Sequence, residues 1–270
     1  MNKKIAFIGG GNMASAIISG LLNKGFLVAQ ISVVEPFADT RQRLKGSFGL
    51  IAHERPGAFL EDADLVVWAV KPQVFKEAAQ PALIHTLHAL HLSVAAGIPS
   101  ASISRWLGTE RVVRSMPNTP ALIGMGITGL YPRPEVTAQD RFLVEQVVAT
   151  MGDFFWLNRE EQLDAVTALS GSGPAYVFYF MEAMIDTGIH MGLSPEQAQK
   201  LAVQTFRGAS ALAHASIEPP ETLRQRVTSK GGTTHAAISA MDASQVKPLF
   251  MQAMVAAQNR AQQMGLEFGE

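Results

Sequence analysis

Near its amino terminus the chain reads Ile5-Ala6-Phe7-Ile8-Gly9-Gly10-Gly11-Asn12-Met13-Ala14, and this stretch decides the fold. Its first four residues are an apolar run of strand length, and its last residues open an amphipathic helical pattern. The spacing Gly-x-Gly-x-x-Ala between strand and helix is typical of a turn that holds a pyrophosphate. We expect Gly9 to make the tight turn, Gly11 to let the backbone approach phosphates, and Ala14 to let helix and strand pack closely. A glycine-rich turn without a ligand is the alternative.

The rest of the first half alternates short apolar runs with longer amphipathic ones. Strands are predicted at residues 5–8, 31–34, 65–70, 92–95, 112–115, 126–131 and 154–157. Helices are predicted between them at residues 13–24, 38–45, 73–79, 102–107 and 139–151. Continuous Val and Ile runs separated by helices favour a parallel sheet that is covered on both faces through right-handed βαβ connections. The sequence therefore predicts a doubly wound, mainly parallel α/β sheet of the Rossmann type over residues 1–160.

After about residue 160, strand alternation gives way to long helical patterns. These patterns cover residues 162–169, 175–191, 195–214, 220–227 and 244–264. Ser194 precedes Pro195 and has Gln197 three positions later, which is typical of a capped helix start. We expect an all-α domain over residues 161–270, following the sheet without a low-complexity linker.

Composition and charge exclude several functional classes. Hydrophobic residues make up 47% and charged residues 17%, a globular composition outside the disordered range. The net charge of -1 at pH 7 leaves no basic surface for nucleic acid and no reason to expect an anionic membrane as a partner. The chain has no cysteine, which excludes disulfides and thiolate chemistry, and its seven histidines are scattered, so we expect no metal site. No apolar run is long enough for a signal peptide or a membrane span, and we expect a cytoplasmic protein.

An acidic residue follows the second predicted strand, where a dinucleotide's adenosine would bind. The carboxylate of Glu35 can accept hydrogen bonds from ribose hydroxyls and so favours NAD. Arg41 and Arg43 lie a few residues on and could instead pair with the 2′-phosphate of NADP. As a third alternative, all three side chains are solvated charges at a helix start and contact no cofactor. We interpret the cofactor as NADPH or NADH, with the hypothesis that Glu35 penalises NADPH by charge repulsion.

Two further loops end predicted parallel strands, at the sheet edge where ligands bind in open α/β folds. They read Ala69-Val70-Lys71-Pro72 and Ala95-Ala96-Gly97. Gly97 has no side chain, which suits the close approach of a ligand to the backbone. Pro72 and Gly97 could also be ordinary turn residues.

Three polar strings later in the chain predict binding loops. The first, Ser115-Met116-Pro117-Asn118-Thr119-Pro120-Ala121, is a stiff loop in which Asn118 offers both a donor and an acceptor. The second, Ala168-Leu169-Ser170-Gly171-Ser172-Gly173-Pro174-Ala175-Tyr176, exposes backbone N–H groups at a helix start. The third, Val227-Thr228-Ser229-Lys230-Gly231-Gly232-Thr233-Thr234, opens another helix with hydroxyls and N–H groups that suit an anion.

These three strings, in this order behind an amino-terminal glycine motif, resemble those of the pyrroline-5-carboxylate reductase family. The resemblance runs from Ile8-Gly9 to the final helix, and the Gly-Gly-Thr-Thr core is its most specific part. It implies a Rossmann domain followed by a helical dimerisation domain. It also implies reduction of the C=N bond of 1-pyrroline-5-carboxylate to L-proline, the last step of proline synthesis. Family members assemble as homodimers through the carboxyl-terminal helices, build larger rings from dimers, and draw the substrate site from both subunits.

The resemblance assigns roles to particular residues. Cofactor contacts are expected from Gly9, Gly10, Gly11, Asn12, Met13, Lys71, Pro72, Ala95, Ala96, Gly97 and Asn118, joined by Glu35, Ala69 and Val70 from their positions at strand ends. Substrate contacts are expected from Asn118, Ser229, Gly231, Gly232, Thr233 and Thr234, with Thr234 as the catalytic residue that hydrogen-bonds the ring nitrogen. An ordinary position at a helix start is the alternative for Thr234. Lys230 stands where the family usually has proline, which puts the rigidity of the loop in doubt and adds a cation near the substrate carboxylate.

The scarcity of acid and base groups in these strings favours an imine substrate over a ketone. Reducing a ketone leaves an alkoxide that needs a proton from the protein. Hydroxyacid dehydrogenases of similar plan use a lysine on the first long helix of the second domain, and residues 174–180 contain none. An iminium needs only orientation, an anchored carboxylate and exclusion of water. A β-hydroxyacid dehydrogenase and a nucleotide-binding sensor without chemistry are the competing interpretations.

Overall fold

The computed structural model describes residues 3–270, and a single seven-stranded sheet forms its first half. The strands are β1 (Ile5–Ile8), β2 (Ile31–Val34), β3 (Leu65–Trp68), β4 (Leu90–Ser93), β5 (Val112–Met116), β6 (Gly126–Pro132) and β7 (Gly152–Trp156). Their order is β2-β1-β3-β4-β5-β6-β7, and only the β5–β6 pair is antiparallel. The predicted doubly wound, mainly parallel sheet is confirmed. The strand order reverses at β1, since β2 lies on one side of it and β3 on the other, and such sheets form their ligand crevice between β1 and β3.

Helices cover both faces of the sheet, so the central strands are buried along their whole length. β1, β3 and β4 are buried at every position. Alternate residues of β1 belong to different cores: Phe7 packs in one apolar cluster and Ala6 in the other. Two-sided burial explains why these strands read as continuous apolar runs in the sequence.

The helices of the first half are α1 (Asn12–Asn23), α2 (Ala38–Phe48), α3 (Phe75–Ala82), α4 (Ser100–Leu107), α5 (Ala138–Val148) and α6 (Gln162–Val166). Short 3₁₀ helices occur at Val28–Gln30, Ala58–Leu60, Pro72–Val74, Leu83–His85 and Thr119–Ile123. A π-helical turn, Thr167–Gly171, continues α6. The sequence predicted one regular helix there, and its ending as a wider turn was not predicted. Such turns are frequent at functional sites.

The second half is helical, as predicted. It contains α7 (Gly173–His190), α8 (Pro195–Ala215), α9 (Pro220–Arg226), α10 (Thr233–Ala243) and α11 (Val246–Phe268). The predicted cap of α8 is present: Gln197 N donates to Ser194 Oγ at 3.3 Å, and Ser194 N donates to Gln197 Oε1 at 3.0 Å. Among residues 3–270, no helix is both long enough and apolar enough to cross a lipid bilayer.

Two compact units divide the chain. Unit 1 comprises the described residues up to Ser172 together with Ala257–Glu270, and unit 2 is Gly173–Ala256. The sequence-based boundary near residue 160 takes no account of the last residues, which return to unit 1. They do so because the carboxyl end of α11 packs within unit 1, where Met264 approaches Gly97.

One histidine lies inside the sheet. His91 in β4 is 1% exposed, and its Nδ1 accepts a hydrogen bond from Trp68 Nε1 at 3.0 Å. Burial lowers the pKa of His91 to about 4, while the backbone of Thr86 raises this pKa and the charge of Arg111 lowers it. The imidazole is therefore neutral at pH 7 and belongs to the core.

Candidate functional site

The glycine loop leaves β1 at the carboxyl edge of the sheet and turns directly into α1. Gly9 has a φ of +97°, and a Cβ added there would lie 2.5 Å from the carbonyl oxygen of Ala69 at the end of β3. The Gly9 N–H donates to the carbonyl of Val34 at 2.8 Å. Conformation and crowding both require glycine at this position, because a side chain would collide with the neighbouring strand.

The amino terminus of α1 is open to an anion. Gly11 is the residue before the helix, no side chain caps it, and the first turn contains no acidic residue. A Cβ added at Gly11 would meet nothing within 4 Å, so the space in front of the helix is free for a ligand. Ala14 is fully buried, as the predicted close packing of helix on sheet requires. Free N–H groups and the positive end of the helix dipole thus face this space, which fits a pyrophosphate.

Glu35 lies at the end of β2 and hydrogen-bonds the glycine loop. It is 5% exposed, and its Oε2 accepts from Gly10 N at 2.8 Å while its Oε1 accepts from Phe37 N at 2.9 Å. A Cβ at Gly10 would come within 2.7 Å of Leu44 Cδ1. The carboxylate therefore positions the loop, a role that the sequence did not indicate, and keeps further lone pairs for other donors.

The two arginines near Glu35 differ in their hydrogen bonds and in their exposure. Arg41 donates from Nη1 to the carbonyl oxygens of Glu35 at 2.9 Å and Pro36 at 2.6 Å. Arg43 is exposed on α2. The guanidinium of Arg41 is therefore already bonded to the backbone, and Arg43 is the more exposed cation of the pair.

The loops after β3 and β4 lie at the same carboxyl edge as the glycine loop. Lys71 is exposed and directly precedes the 3₁₀ helix Pro72–Val74. Gly97 is buried with a φ of +82°, and a Cβ there would lie 2.8 Å from Cβ of Met264 on α11. Crowding by the chain's own last helix gives one reason for the missing side chain at Gly97, and the ligand approach suggested by the sequence stays a prediction.

The structure brings the first two polar strings together. Asn118 donates from Nδ2 to Ser170 Oγ at 3.2 Å, and its Oδ1 accepts from the N–H of Ile127 at 3.0 Å. Ser170 lies in the π-helical turn. The amide that was predicted to face a ligand thus also ties the loop after β5 to the Ser/Gly string.

A buried polar cluster beside the β4 loop was missed by sequence reasoning. Glu160 Oε1 accepts from Ser100 N at 2.6 Å and from Arg114 Nη1 at 2.8 Å, and its Oε2 accepts from Ser100 Oγ at 2.5 Å. Burial raises the pKa of the neighbouring Asp164, which Arg114 lowers and which Glu160 and Glu161 raise. Glu160 thereby joins the start of α4 to β5, and an acidic residue 60 positions from its partner gives no local signal.

The third polar string lies in unit 2. Gly232 directly precedes α10, without a side-chain cap and without an acidic residue in the first turn. A Cβ on Gly232 would lie 2.7 Å from Ser229 Oγ, so the loop is tightly folded there. Lys230 is exposed, and Thr234 lines a groove of 780 Å³ with Val227 and Ile238. The free helix start fits a carboxylate.

Within the part of the chain that the structure describes, no group of three or more His, Asp or Glu side chains is arranged to hold a metal ion.

Comparisons with known proteins show the family to which the chain is similar. A family model described as pyrroline-5-carboxylate reductase dimerisation matches residues 160–264. A model described as NADP oxidoreductase, coenzyme F420-dependent, matches residues 4–97. The chain is 45% identical to the pyrroline-5-carboxylate reductase of Pseudomonas aeruginosa over 99% of this chain and 98% of that protein. It is 34% identical to the soybean (Glycine max) enzyme of the same name, over 96% of this chain and 95% of that one.

Solved structures give the same result. A pyrroline-5-carboxylate reductase from Coxiella burnetii superposes with a TM-score of 0.89 at 36% identity, covering 98% of this chain and 99% of that one. A pyrroline carboxylate reductase from Plasmodium falciparum, with NADP bound, superposes with a TM-score of 0.88 at 28% identity and covers 98% of each chain.

Proposed function

The chain belongs to the pyrroline-5-carboxylate reductase family, and from this premise we propose how its residues divide the reaction among them. It is an NAD(P)H-dependent oxidoreductase that reduces 1-pyrroline-5-carboxylate to L-proline, the last step of proline synthesis. The observation that carries this function in the structure is the uncapped start of α1, with free space in front of Gly11. The residues of this loop fit the pyrophosphate of a dinucleotide.

Residues 1–160 form the cofactor domain in this proposal. Its cofactor contacts are Gly9, Gly10, Gly11, Asn12, Met13, Glu35, Ala69, Val70, Lys71, Pro72, Ala95, Ala96, Gly97 and Asn118. A bound NADPH or NADH supplies the hydride. The loops after β1, β3 and β4 lie at one edge of the sheet, which supports their sharing one extended ligand.

Glu35 discriminates between the two dinucleotides in this proposal. Its carboxylate accepts two backbone N–H groups and has lone pairs left for the hydroxyls of an adenosine ribose. A 2′-phosphate at the same place would meet a buried negative charge. The exposed Arg43 offsets part of that repulsion. We therefore expect both cofactors to work, with NADH favoured by Glu35.

Residues 161–270 form the dimerisation and substrate domain. Ser229, Gly231, Gly232 and Thr233 hold the substrate carboxylate at the start of α10. Asn118 is a further substrate contact in the proposal. Thr234 hydrogen-bonds the ring nitrogen. The substrate enters as an iminium; hydride adds to the carbon of the C=N⁺ bond, and the nitrogen keeps its proton as a secondary amine. The protein supplies orientation and a carboxylate anchor, and no acid or base need transfer a proton during the step.

The protein is a homo-oligomer that assembles through its helical domain. We propose a homodimer and a larger ring of dimers. Large apolar side chains are exposed on unit 2, including Leu212 at 70% and Ile217 at 104%, and such patches support association. Light scattering that finds a stable monomer would contradict the proposed assembly. A cytoplasmic location stays a prediction from the sequence.

The decisive experiment is a steady-state assay of NADPH and NADH oxidation with 1-pyrroline-5-carboxylate. A 2-keto acid serves as the alternative substrate with the reduced cofactors, and a hydroxyacid is tested separately with NADP⁺ and NAD⁺ in the same buffer. Turnover on the imine alone is the expected result. Tight cofactor binding without turnover on the imine would favour a nucleotide sensor, and turnover on the 2-keto acid would favour a hydroxyacid dehydrogenase.

A further inference from the structure

The end of the chain lies against the loop that follows β4. Gly265 is so close to Gly97 that a Cβ added to it would lie 3.0 Å from the Gly97 carbonyl oxygen. Phe268 is half-buried and packs on the apolar cluster that contains Ile98 and Ile103. The last two turns of α11 thus contact the β4 loop both through the backbone and through side chains.

Met264 makes the tightest of these contacts. A Cβ added at Gly97 would lie 2.8 Å from Met264 Cβ and 3.5 Å from its Cε. Gly97 also has a φ of +82°, a conformation that residues with a side chain rarely adopt. Met264 therefore covers the loop on the side where a Cβ of residue 97 would stand.

Hydrogen bonds hold the residues beyond the helix. Arg105 donates from Nη2 to the carbonyl oxygen of Gly269 at 2.8 Å, and Ser102 Oγ donates to the same oxygen. Lys76 on α3 donates from Nζ to the backbone oxygen of Glu270 at 2.9 Å. Ser102 and Arg105 lie on α4, the helix that starts directly after the loop. The tail is thus attached to the helix whose position sets where the loop ends.

We propose that Met264–Glu270, here called the carboxyl-terminal clasp, positions the loop Ala95–Pro99 for the cofactor, with Met264 as the main positioning residue. The inference rests on the proposed function, which places Ala95–Gly97 against the dinucleotide. A loop with a glycine at positive φ has alternative conformations once its cover is removed. The apparent affinity for the cofactor then falls in proportion to the fraction of molecules in the binding conformation.

Two variants test the clasp from opposite sides. Met264→Gly removes the whole side chain that covers the loop, including its Cβ, and Ser102→Ala combined with Arg105→Ala removes the donors to Gly269. Met251→Gly is the matched control, because it makes the same change on α11 outside the clasp, at a side chain that is 54% exposed. If the loop keeps its binding conformation about one fifth of the time, cofactor KM and Kd rise about fivefold. The KM for the imine and kcat at saturating cofactor stay at the wild-type values.

A double-mutant cycle tests the contact itself. Gly97→Ala raises the cofactor Kd in the wild-type background through both the positive φ and the collision with Met264. In a Met264→Gly background the collision is absent and only the strain of the positive φ remains, so Gly97→Ala raises Kd by a smaller factor. Equal factors in both backgrounds would show that the two residues act independently and would overturn the assignment of Met264.

Cofactor Kd is measured by titration of NADPH fluorescence, so the clasp is tested without turnover. A fivefold weaker Kd in both clasp variants, with the control unchanged, supports the proposal. A wild-type Kd in both variants overturns the proposal. This holds even if the melting temperatures of the variants fall, because the clasp then contributes to stability without affecting cofactor binding. A wild-type protein that binds NADPH but does not reduce the imine contradicts the proposed function and leaves the Kd test of the clasp intact.

Discussion

Acidification should destabilise the protein through one buried side chain, His91. The pKa of His91 is about 4 in the folded protein, because burial disfavours the charged ring, and about 6.5 in an unfolded chain. The unfolded state therefore binds the proton first. The neutral ring contributes its full stability above about pH 6.5, and this contribution is lost progressively as the pH falls toward 4.

The magnitude follows from the size of the pKa shift. Each pKa unit is worth about 1.4 kcal/mol, so the whole shift corresponds to about 3 kcal/mol. Most of this stabilising free energy is lost between pH 7.5 and pH 4.5, so the free energy of unfolding falls by about 2 to 3 kcal/mol. Trp68 Nε1 also loses its acceptor when Nδ1 of His91 is protonated, in agreement with the direction of the effect.

Urea denaturation at the two pH values measures this loss in the wild type and in His91→Gln, whose amide does not titrate. Both proteins are compared at one protomer concentration, because dissociation of an oligomer also shifts apparent stability. Carboxylates titrate in both proteins, so the wild type should lose about 2 to 3 kcal/mol more than the variant. Equal losses would refute the reasoning, since the protonation of His91 would then not be linked to unfolding.

Four further predictions concern the glycine loop with Glu35 and the Gly-Gly-Thr-Thr string. Gly9→Ala should lower the free energy of unfolding by about 2 kcal/mol or more, because its Cβ meets Ala69 at a positive φ; an unchanged urea midpoint would contradict this. Glu35→Ser should raise the ratio of kcat/KM for NADPH to that for NADH, and an unchanged ratio would exclude repulsion by Glu35. Lys230→Pro should raise the KM for the imine with little change in kcat; a wild-type KM would show that the Lys230 cation does not attract the substrate. Thr234→Val should lower kcat/KM for the imine about tenfold, while Thr234→Ser keeps most of the activity, and equal losses in the two variants would rule out a hydrogen bond from the iminium N–H to the hydroxyl oxygen.

Strand positions were predictable because the apolar runs of buried parallel strands are a local signal. β1 and β2 begin and end where the sequence indicated, whereas β3 ends at Trp68, two residues before the predicted end. The antiparallel pairing of β5 with β6 was not predicted. It follows from the short connection, residues 117–125, since a parallel crossover needs a dozen or more residues.

The sequence by itself determined the type of sheet, the helical second half, the glycine loop after β1 and the uncapped helix starts at Gly11 and Gly232. Each of these features depends on residues within a few positions of one another, because hydrophobic periodicity, glycine conformation and helix capping act over that short range. Only the tertiary structure decided that Glu35 holds the glycine loop and that Met264 covers Gly97. Those contacts join residues far apart in the chain, and their geometry exists only once the sheet has brought separate loops to one edge and the last helix has packed beside them.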